Sequence, residues 1–223
     1  MTQLQGVSLI LFALVVAGAL RALDLRKLVK DKHQQHLVFG SAAALFGLWL
    51  FRAGIFDGLD VHILGLTIIT LMLGFRYALI TATITLVGAT FAGYTTWNMF
   101  GINGLLAITL PIVMSYLVYM VSFHHMPRHL FVYLFVCAFF TGAISIALKT
   151  LALGGYYYIE GTYSWNIIVD NYLLLIPLMV FPEAFLIVAT NCQYKFTDRI
   201  EEAFKYIDLV YFSIDGYQES YER

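Results

Sequence analysis

Residues 58–80 read G-L-D-V-H-I-L-G-L-T-I-I-T-L-M-L-G-F-R-Y-A-L-I, and this stretch sets the pattern for the rest of the chain. Its one histidine, His62, stands at the start of an apolar run that contains no charged residue before Arg76. Two carboxylates, Asp57 and Asp60, come just before the histidine. A helix that begins near His62 is therefore expected to have a polar end suited to a metal ion and a body that is soluble in lipid.

The composition of the whole chain points to the membrane. Its 223 residues are 61% hydrophobic and only 12% charged, whereas a soluble domain carries roughly twice that charged fraction. Apolar runs of about 20 residues recur, and about 20 residues in a helix span a bilayer. Because the runs are continuous and do not alternate, helices are favoured over a β-barrel. The fold class predicted is an all-α, polytopic membrane protein, and the net charge of −1 gives no reason to expect a nucleic-acid partner.

Seven transmembrane helices are predicted. They cover about residues 4–20, 37–51, 62–75, 77–95, 105–123, 130–153 and 172–192. The first is interpreted as a retained helix because it lacks the basic start and the cleavage site of a signal peptide. Residues 1–193 are expected to form a single transmembrane domain. Residues 194–223 are expected to form a cytoplasmic tail, in which apolar residues recur at helical spacing and predict an amphipathic helix.

The distribution of lysine and arginine predicts the orientation. Basic residues concentrate in 21–32, at Arg76, at Arg128 and after Cys192, and all of these places fall on one side of the seven-helix arrangement. The opposite loops, 54–61, 96–104 and 154–171, contain no lysine or arginine. Positive loops face the cytoplasm, so the N-terminus is predicted to lie outside and the C-terminus inside, as in a multi-pass protein of a bacterial inner membrane. Arg52 and Lys149, near helix ends, are expected to extend toward the membrane surface.

Glu183 is the second candidate for function, after His62. It lies near the middle of the last predicted helix, where a carboxylate is costly and usually faces the bundle interior or a water-filled path. Met179 and Thr190 share its face by helical spacing. The three residues are therefore predicted to line an ion path. The structural alternative is a hydrogen-bonded glutamate that only fixes helix packing.

Other patterns give no further chemistry. His124, His125 and His129 cluster in a predicted cytoplasmic turn and are interpreted as polar residues at the membrane boundary. The two cysteines, Cys137 and Cys192, have no paired spacing that would predict a disulfide or a zinc site. No nucleotide-binding, zinc-protease or serine-hydrolase motif occurs in the sequence. The chain is therefore not expected to be an enzyme or to bind ATP itself.

Two segments together carry a resemblance to a known family. Residues 61–74, V-H-I-L-G-L-T-I-I-T-L-M-L-G, are followed by residues 101–119, G-I-N-G-L-L-A-I-T-L-P-I-V-M-S-Y-L-V-Y. This pair resembles the CbiM-like cobalt/nickel permeases of energy-coupling-factor transporters, which show a G-H-L-L-G-type helix start, a G-A-N segment and a P-L-V-G-Y-L-V-Y-like helix at similar distances. The run around Glu183 is similar to the last helix of that family.

The resemblance implies a permease subunit that binds a divalent metal ion as its substrate, with nickel or cobalt expected and zinc or copper as alternatives. It also implies membrane lipid, a coupling transmembrane protein and separate ATPase subunits as partners. Of the family's site residues, His62 and Asn103 carry over. The family's N-terminal Met-His is replaced here by Met1-Thr2, and a second asparagine of the family falls on Leu106.

With one imidazole left, the site is expected to recruit oxygen ligands. The candidates with His62 are Asp57, Asp60 and Asn103, and further oxygen donors predicted on the same side are Asn98, Glu160 and Asp170. Such a site should bind nickel or cobalt more weakly than an all-nitrogen site and lose affinity below about pH 6.5 as the imidazole protonates. Two other functions stay open: a stand-alone zinc or copper transporter, and a membrane scaffold that binds a partner.

Overall fold

The computed structural model describes residues 2–23, 25–54, 56–125 and 132–191. Most of these residues are helical, which confirms the all-α membrane fold. Their longer helices are α1 (Gln3–Arg21), α3 (Lys32–Leu50), α4 (Leu66–Phe91), α6 (Leu110–His125), α7 (Thr141–Ile159) and α9 (Ile176–Asn191). The shorter ones are α2 (Leu25–Lys30), α5 (Phe100–Ile102) and α8 (Trp165–Asn171). The predicted tail, 194–223, and the turn that holds Arg128 and His129 lie outside the described residues.

Short irregular helical pieces extend several of these helices. Trp97–Met99 and Leu173–Leu175 form 3-10 turns, while Asn103–Thr109 and Val132–Phe140 are π-helical. With these pieces included, five helical runs among the described residues are long and apolar enough to cross a membrane. They cover Gln3–Arg21, Leu66–Phe91, Trp97–His125, Phe135–Ile159 and Trp165–Ile187. The helix α3 is not among them, and its first turns, Lys32–His36, are polar.

The third and fourth predicted helices form one element, α4, with a break at Gly74. Gly74 has φ 77° and ψ 168°, a conformation outside the helical region that glycine tolerates best. Contacts show that the chain reverses there. Arg52 pairs with His62 just before α4 and also donates to the Tyr94 carbonyl oxygen beyond the far end of α4 at 2.8 Å. Arg76, in the middle, donates instead to the Ala22 carbonyl oxygen at 2.6 Å, next to the end of α1. The count of seven spans stays a prediction, but the reversal near Arg76 matches it.

These contacts define the two ends of the bundle. The Arg76 end contains Ala22 and Arg76. The Arg52 end contains Arg52, Tyr94 and Asp60, which lies in the segment before α4. The apolar core between the ends is built from α1, α3, α4, the π-helical segment Asn103–Thr109, α6 and α7. The side chains buried in it include Phe12, Leu45, Leu66, Leu79, Ile108, Ile112 and Ile146. Helices α3 and α4 pack side by side, as do α7 and α9.

The start of α4 corrects the sequence-based expectation. The helix does not begin near His62, because Val61–His62 form a short strand, β2, that pairs antiparallel with β1 (Arg52–Ala53). The register places Arg52 opposite His62. Gly65 then adopts a left-handed conformation with φ 65°, and α4 begins at Leu66. A left-handed residue cannot continue a right-handed helix, so His62 belongs to the loop before α4 and not to the helix.

Candidate metal site at the Arg52 end

Residues 59–65, here named the His62 loop, are held by side chains from other helices. Trp49 of α3 donates its indole N–H to the Leu64 carbonyl oxygen at 3.0 Å. Glu183 of α9 accepts from the Leu64 and Gly65 backbone N–H groups at 2.6 and 2.9 Å. Lys149 of α7 donates to the Asp60 carbonyl oxygen at 3.3 Å. The backbone of this loop is therefore satisfied from three helices, and its conformation is fixed.

His62 sits half-buried in this loop with one ring nitrogen engaged. Its Nδ1 lies 3.1 Å from the Ile63 carbonyl oxygen. A carbonyl can only accept, so this bond places the hydrogen on Nδ1. Nε2 has no hydrogen-bond partner among the described residues. In metal sites a backbone carbonyl commonly orients the ligating imidazole in this way, which leaves the second nitrogen available to the ion.

The surroundings of His62 keep the imidazole neutral. Burial lowers the pKa of His62 well below its ordinary value of 6.5, and the positive charge of Lys149 lowers it further. The hydrogen bond to Ile63 acts in the opposite direction, and Arg52 adds a smaller lowering effect. Only a neutral imidazole can bind a metal ion, so the protonation state suits a ligand. The same two cations, however, disfavour a bare divalent ion nearby.

The two aspartates predicted as ligands have different environments. Asp60 forms a salt bridge with Arg52, whose Nη1 lies 3.1 Å from the Asp60 Oδ2. Asp57 is exposed, and its backbone carbonyl accepts a hydrogen bond from the Tyr163 hydroxyl at 3.0 Å. Asp60 is therefore already paired with a cation, whereas the carboxylate of Asp57 faces solvent.

Asn103, the remaining predicted ligand, lies at the start of the π-helical turn and is half-buried. Among the described residues its side chain makes no hydrogen bond that would commit it to another role. No group of three or more His, Cys, Asp or Glu side chains that could hold a metal ion occurs in the described part of the chain. A site at His62 would therefore be completed by other donors, such as amide or carbonyl oxygens and water. Of the further oxygen donors, Asn98 and Asp170 are exposed and Glu160 is half-buried.

Lys149 corrects another expectation. It does not extend to the membrane surface, because it is only 2% exposed and lies within the bundle. Its Nζ lies 5.7 Å from the centre of the Tyr172 ring as well as near Asp60. The electrostatic neighbours of Lys149 include Asp60 and Glu183. Lys149 is thus part of a buried charge network around the His62 loop. The sequence signal that could have indicated its burial is a lone lysine within an apolar helix, four residues after Ser145.

Three hydroxyl groups form a second polar cluster that sequence reasoning missed. Thr67 of α4 lies 2.9 Å from the Ser115 hydroxyl of α6 and 3.3 Å from the Ser145 hydroxyl of α7, and the two serines are 3.1 Å apart. All three residues are fully buried. Thr67 is in the first turn of α4, so this cluster lies just beyond the His62 loop. Its hydrogen bonds join three helices at the point where α4 begins.

The three residues predicted to line an ion path, Glu183, Met179 and Thr190, have different surroundings in the structure. Both carboxylate oxygens of Glu183 are taken up by backbone N–H groups, as described above, and the residue is fully buried. Met179 is half-buried and packs against the main core. Thr190 belongs to α9, but its side chain lies outside what the structure describes. The role of these residues in an ion path stays a prediction.

The histidines at the end of α6 are far from this arrangement in the fold. His124 and His125 are exposed, and each Nδ1 faces a carbonyl oxygen of its own helix, Met120 at 2.7 Å and Val121 at 3.2 Å. Such bonds are typical of polar side chains at a helix end.

Comparison with known proteins identifies the family. The family model described as the cobalt uptake substrate-specific transmembrane region, CbiM, matches residues 4–191. The chain belongs to the CbiM family. Membership makes it a multi-pass membrane component of a transporter, and it confirms the resemblance seen in residues 61–74 and 101–119.

Two solved structures share the fold of this CbiM family member. One, described as a transition metal transporter, has a TM-score of 0.72 and 17% sequence identity, and the match covers 95% of this chain and 93% of that chain. The other, a truncated transition metal transporter, has a TM-score of 0.69 and 19% identity, with 84% and 91% covered. No curated protein sequence matches the chain.

Proposed function

We propose that the chain is the substrate-binding permease subunit for uptake of a divalent transition-metal ion, nickel or cobalt, with His62 as its main ligand. The observation that carries the proposal is the state of the imidazole. His62 is neutral, its Nδ1 hydrogen is bonded to the Ile63 carbonyl, and its Nε2 has no partner within the described residues. Imidazole nitrogen is a preferred ligand for both ions.

The remaining donors are oxygens in this proposal. Asp57 and Asn103 have side chains that no other described residue engages, while Asp60 must leave Arg52 to bind an ion. One nitrogen and several oxygens give a weak site that discriminates poorly among nickel, cobalt and zinc. Weak binding suits a permease, since the ion must also be released.

Energy for uptake is proposed to come from separate ATPase subunits, linked through a coupling membrane protein in a bacterial inner membrane. The family assignment supports this arrangement, as does the lack of a nucleotide-binding motif in the sequence. Copurification tests it: an affinity-tagged chain expressed with its genomic neighbours should retain an ATPase. A chain that transports metal into vesicles without any ATPase would instead be a stand-alone transporter.

Calorimetry of the purified protein tests the metal site. Wild-type protein should bind nickel and cobalt, and His62→Ala should abolish binding. His124→Ala is the matched control, because this histidine is exposed and bonded to its own helix, and it should bind like wild type. Equal binding by wild type and His62→Ala, or no binding by either, would contradict the proposal.

A further inference from the structure

The carboxylate of Glu183 caps the start of α4 from a distant part of the chain, by binding the backbone N–H of Gly65, the residue before the helix, 118 positions earlier, and that of Leu64. The first N–H groups of a helix have no partner within it, and the residue before the helix usually supplies one from its own side chain. At the start of α4 that residue is Gly65, which has no side chain, and no local cap bond is formed. Glu183 instead accepts from the backbone N–H groups of the two residues just before the helix, Leu64 at 2.6 Å and Gly65 at 2.9 Å.

The bonds fit an ionised carboxylate. Each oxygen receives one backbone N–H, and short bonds of this kind to a charged acceptor are stronger than those between neutral groups. The N-terminal end of a helix also favours negative charge. Lys149 adds a positive charge within electrostatic range of Glu183. A fully buried carboxylate is costly in a membrane protein, and these three contributions reduce that cost.

Leu64 connects this cap to the proposed ligand. Its N–H is bound by Glu183 and its carbonyl oxygen by Trp49. With both peptide groups of Leu64 fixed, only Ile63 lies between the cap and His62. The paired strand β2 fixes the other side of His62. The orientation of the imidazole therefore depends on a carboxylate that does not itself contact it.

We infer that Glu183 is a positioning residue, whose carboxylate holds the His62 loop in the conformation that presents His62 and ties α9 to the start of α4. The inference rests on the proposed function in so far as His62 is the ligand. It differs from a role in an ion path, because both Glu183 oxygens are occupied by backbone donors. An ion that bound Glu183 would compete with these backbone donors for the charge of the carboxylate.

Replacement by glutamine separates the two roles. Glu183→Gln keeps the volume of the side chain, but an amide offers one acceptor oxygen and turns its NH₂ group toward the second backbone N–H. The cap is therefore half lost. Asp31→Asn is the control for a carboxylate-to-amide change at another helix start, because Asp31 accepts from the backbone N–H groups of His33 and Gln34, both at Oδ1, before α3. That cap lies on a different helix start and does not touch the His62 loop.

Hydrogen exchange on the purified full chain in detergent measures the cap without any metal. In Glu183→Gln one of the two backbone amides, Leu64 or Gly65, loses its acceptor and should exchange about tenfold faster than in wild type, since a buried charge-assisted bond is lost. In Asp31→Asn both amides should exchange at the wild-type rate. Titration of the same samples with nickel chloride should show a dissociation constant raised about fivefold or more in Glu183→Gln and unchanged in Asp31→Asn.

The outcomes distinguish this inference from the proposed function. Unchanged exchange at Leu64 and Gly65 in Glu183→Gln overturns the inference, and a simultaneous loss of uptake would then support the ion-path role. Faster exchange with an unchanged nickel affinity also overturns it, because the loop would then not position the ligand. If wild-type protein binds no metal, the proposed function fails, and the exchange rates alone decide whether Glu183 holds the loop.

Discussion

The imidazole of His62 packs against the indole of Trp49, with the ring centroids 5.5 Å apart and the ring planes inclined at 55°. The same indole donates its N–H to the Leu64 carbonyl oxygen. One side chain of α3 thus supports both the ring of the proposed ligand and the backbone two residues further along. Trp49 is 5% exposed, so this contact is part of the core and not of an interfacial aromatic belt.

Replacing Trp49 by phenylalanine should separate the two contacts. Trp49→Phe keeps an aromatic ring beside His62 but leaves the buried Leu64 carbonyl without its donor, which costs about 1–3 kcal/mol. We expect a lower midpoint of thermal unfolding in detergent and weaker nickel binding. Trp165→Phe is the control, since Trp165 is 46% exposed and its indole donates to no described residue. Equal thermal midpoints for the two variants would remove the assigned role of Trp49.

The salt bridge between Arg52 and Asp60 predicts a variant with tighter binding. Arg52→Gln removes one of the two cations near His62 and releases the Asp60 carboxylate. Nickel affinity should rise by up to about fivefold, the range expected for a partly exposed ion pair. Arg52→Lys retains the positive charge and should bind like wild type. If calorimetry shows weaker nickel binding in Arg52→Gln than in Arg52→Lys, release of Asp60 from Arg52 does not supply a metal ligand.

The pH dependence of binding should differ from that of a free histidine. A histidine with its ordinary pKa would be half protonated at pH 6.5 and would lose metal affinity from there downward. Burial and the charge of Lys149 lower the pKa of His62, so the imidazole stays neutral at pH 6.5. The nickel dissociation constant should therefore be the same at pH 7.5 and 6.5, and rise only at lower pH.

Removing the lysine charge provides the comparison for this pH profile. In Lys149→Met the His62 pKa should move back up, and the loss of nickel affinity should begin at a higher pH than in wild type. Titrations across pH 5 to 8 on both proteins would decide the point. Profiles that coincide would show that the charge of Lys149 does not affect the pKa of His62.

Much of the membrane body could be predicted from the sequence, because apolar runs at bilayer length leave few alternatives. The apolar run after His62 and the basic residue at Arg76 marked the segment that turns back at Gly74. The start of α4 could not be predicted in the same way. His62 is followed by an apolar run that suits a helix, and only the left-handed conformation of Gly65 and the pairing of β2 with β1 show that the helix begins later.

The charge network could be predicted only in part. Glu183 stood out as a carboxylate at membrane depth, but its partners, Leu64 and Gly65, lie in a distant part of the chain and are backbone groups, which carry no sequence signal. Lys149 was expected at the surface because lysine often extends there. Its burial results from the packing of α7 beside the His62 loop, which is a tertiary contact and leaves no local sequence signal.

Cysteine labelling at two exposed positions should report the orientation of the bundle in the membrane. Ser164, between α7 and α8, is exposed near the Arg52 end, where its neighbour Tyr163 bonds to Asp57. Val29 of α2 is 73% exposed on the basic segment that leads away from the Arg76 end. Because basic segments stay in the cytoplasm, a membrane-impermeant maleimide added to intact cells should label Ser164→Cys and not Val29→Cys, in a background where Cys137 and Cys192 are alanine. Both variants should react after the membrane is permeabilised, which controls for intrinsic reactivity. Labelling of Val29→Cys alone in intact cells would reverse the orientation and place His62 on the cytoplasmic side.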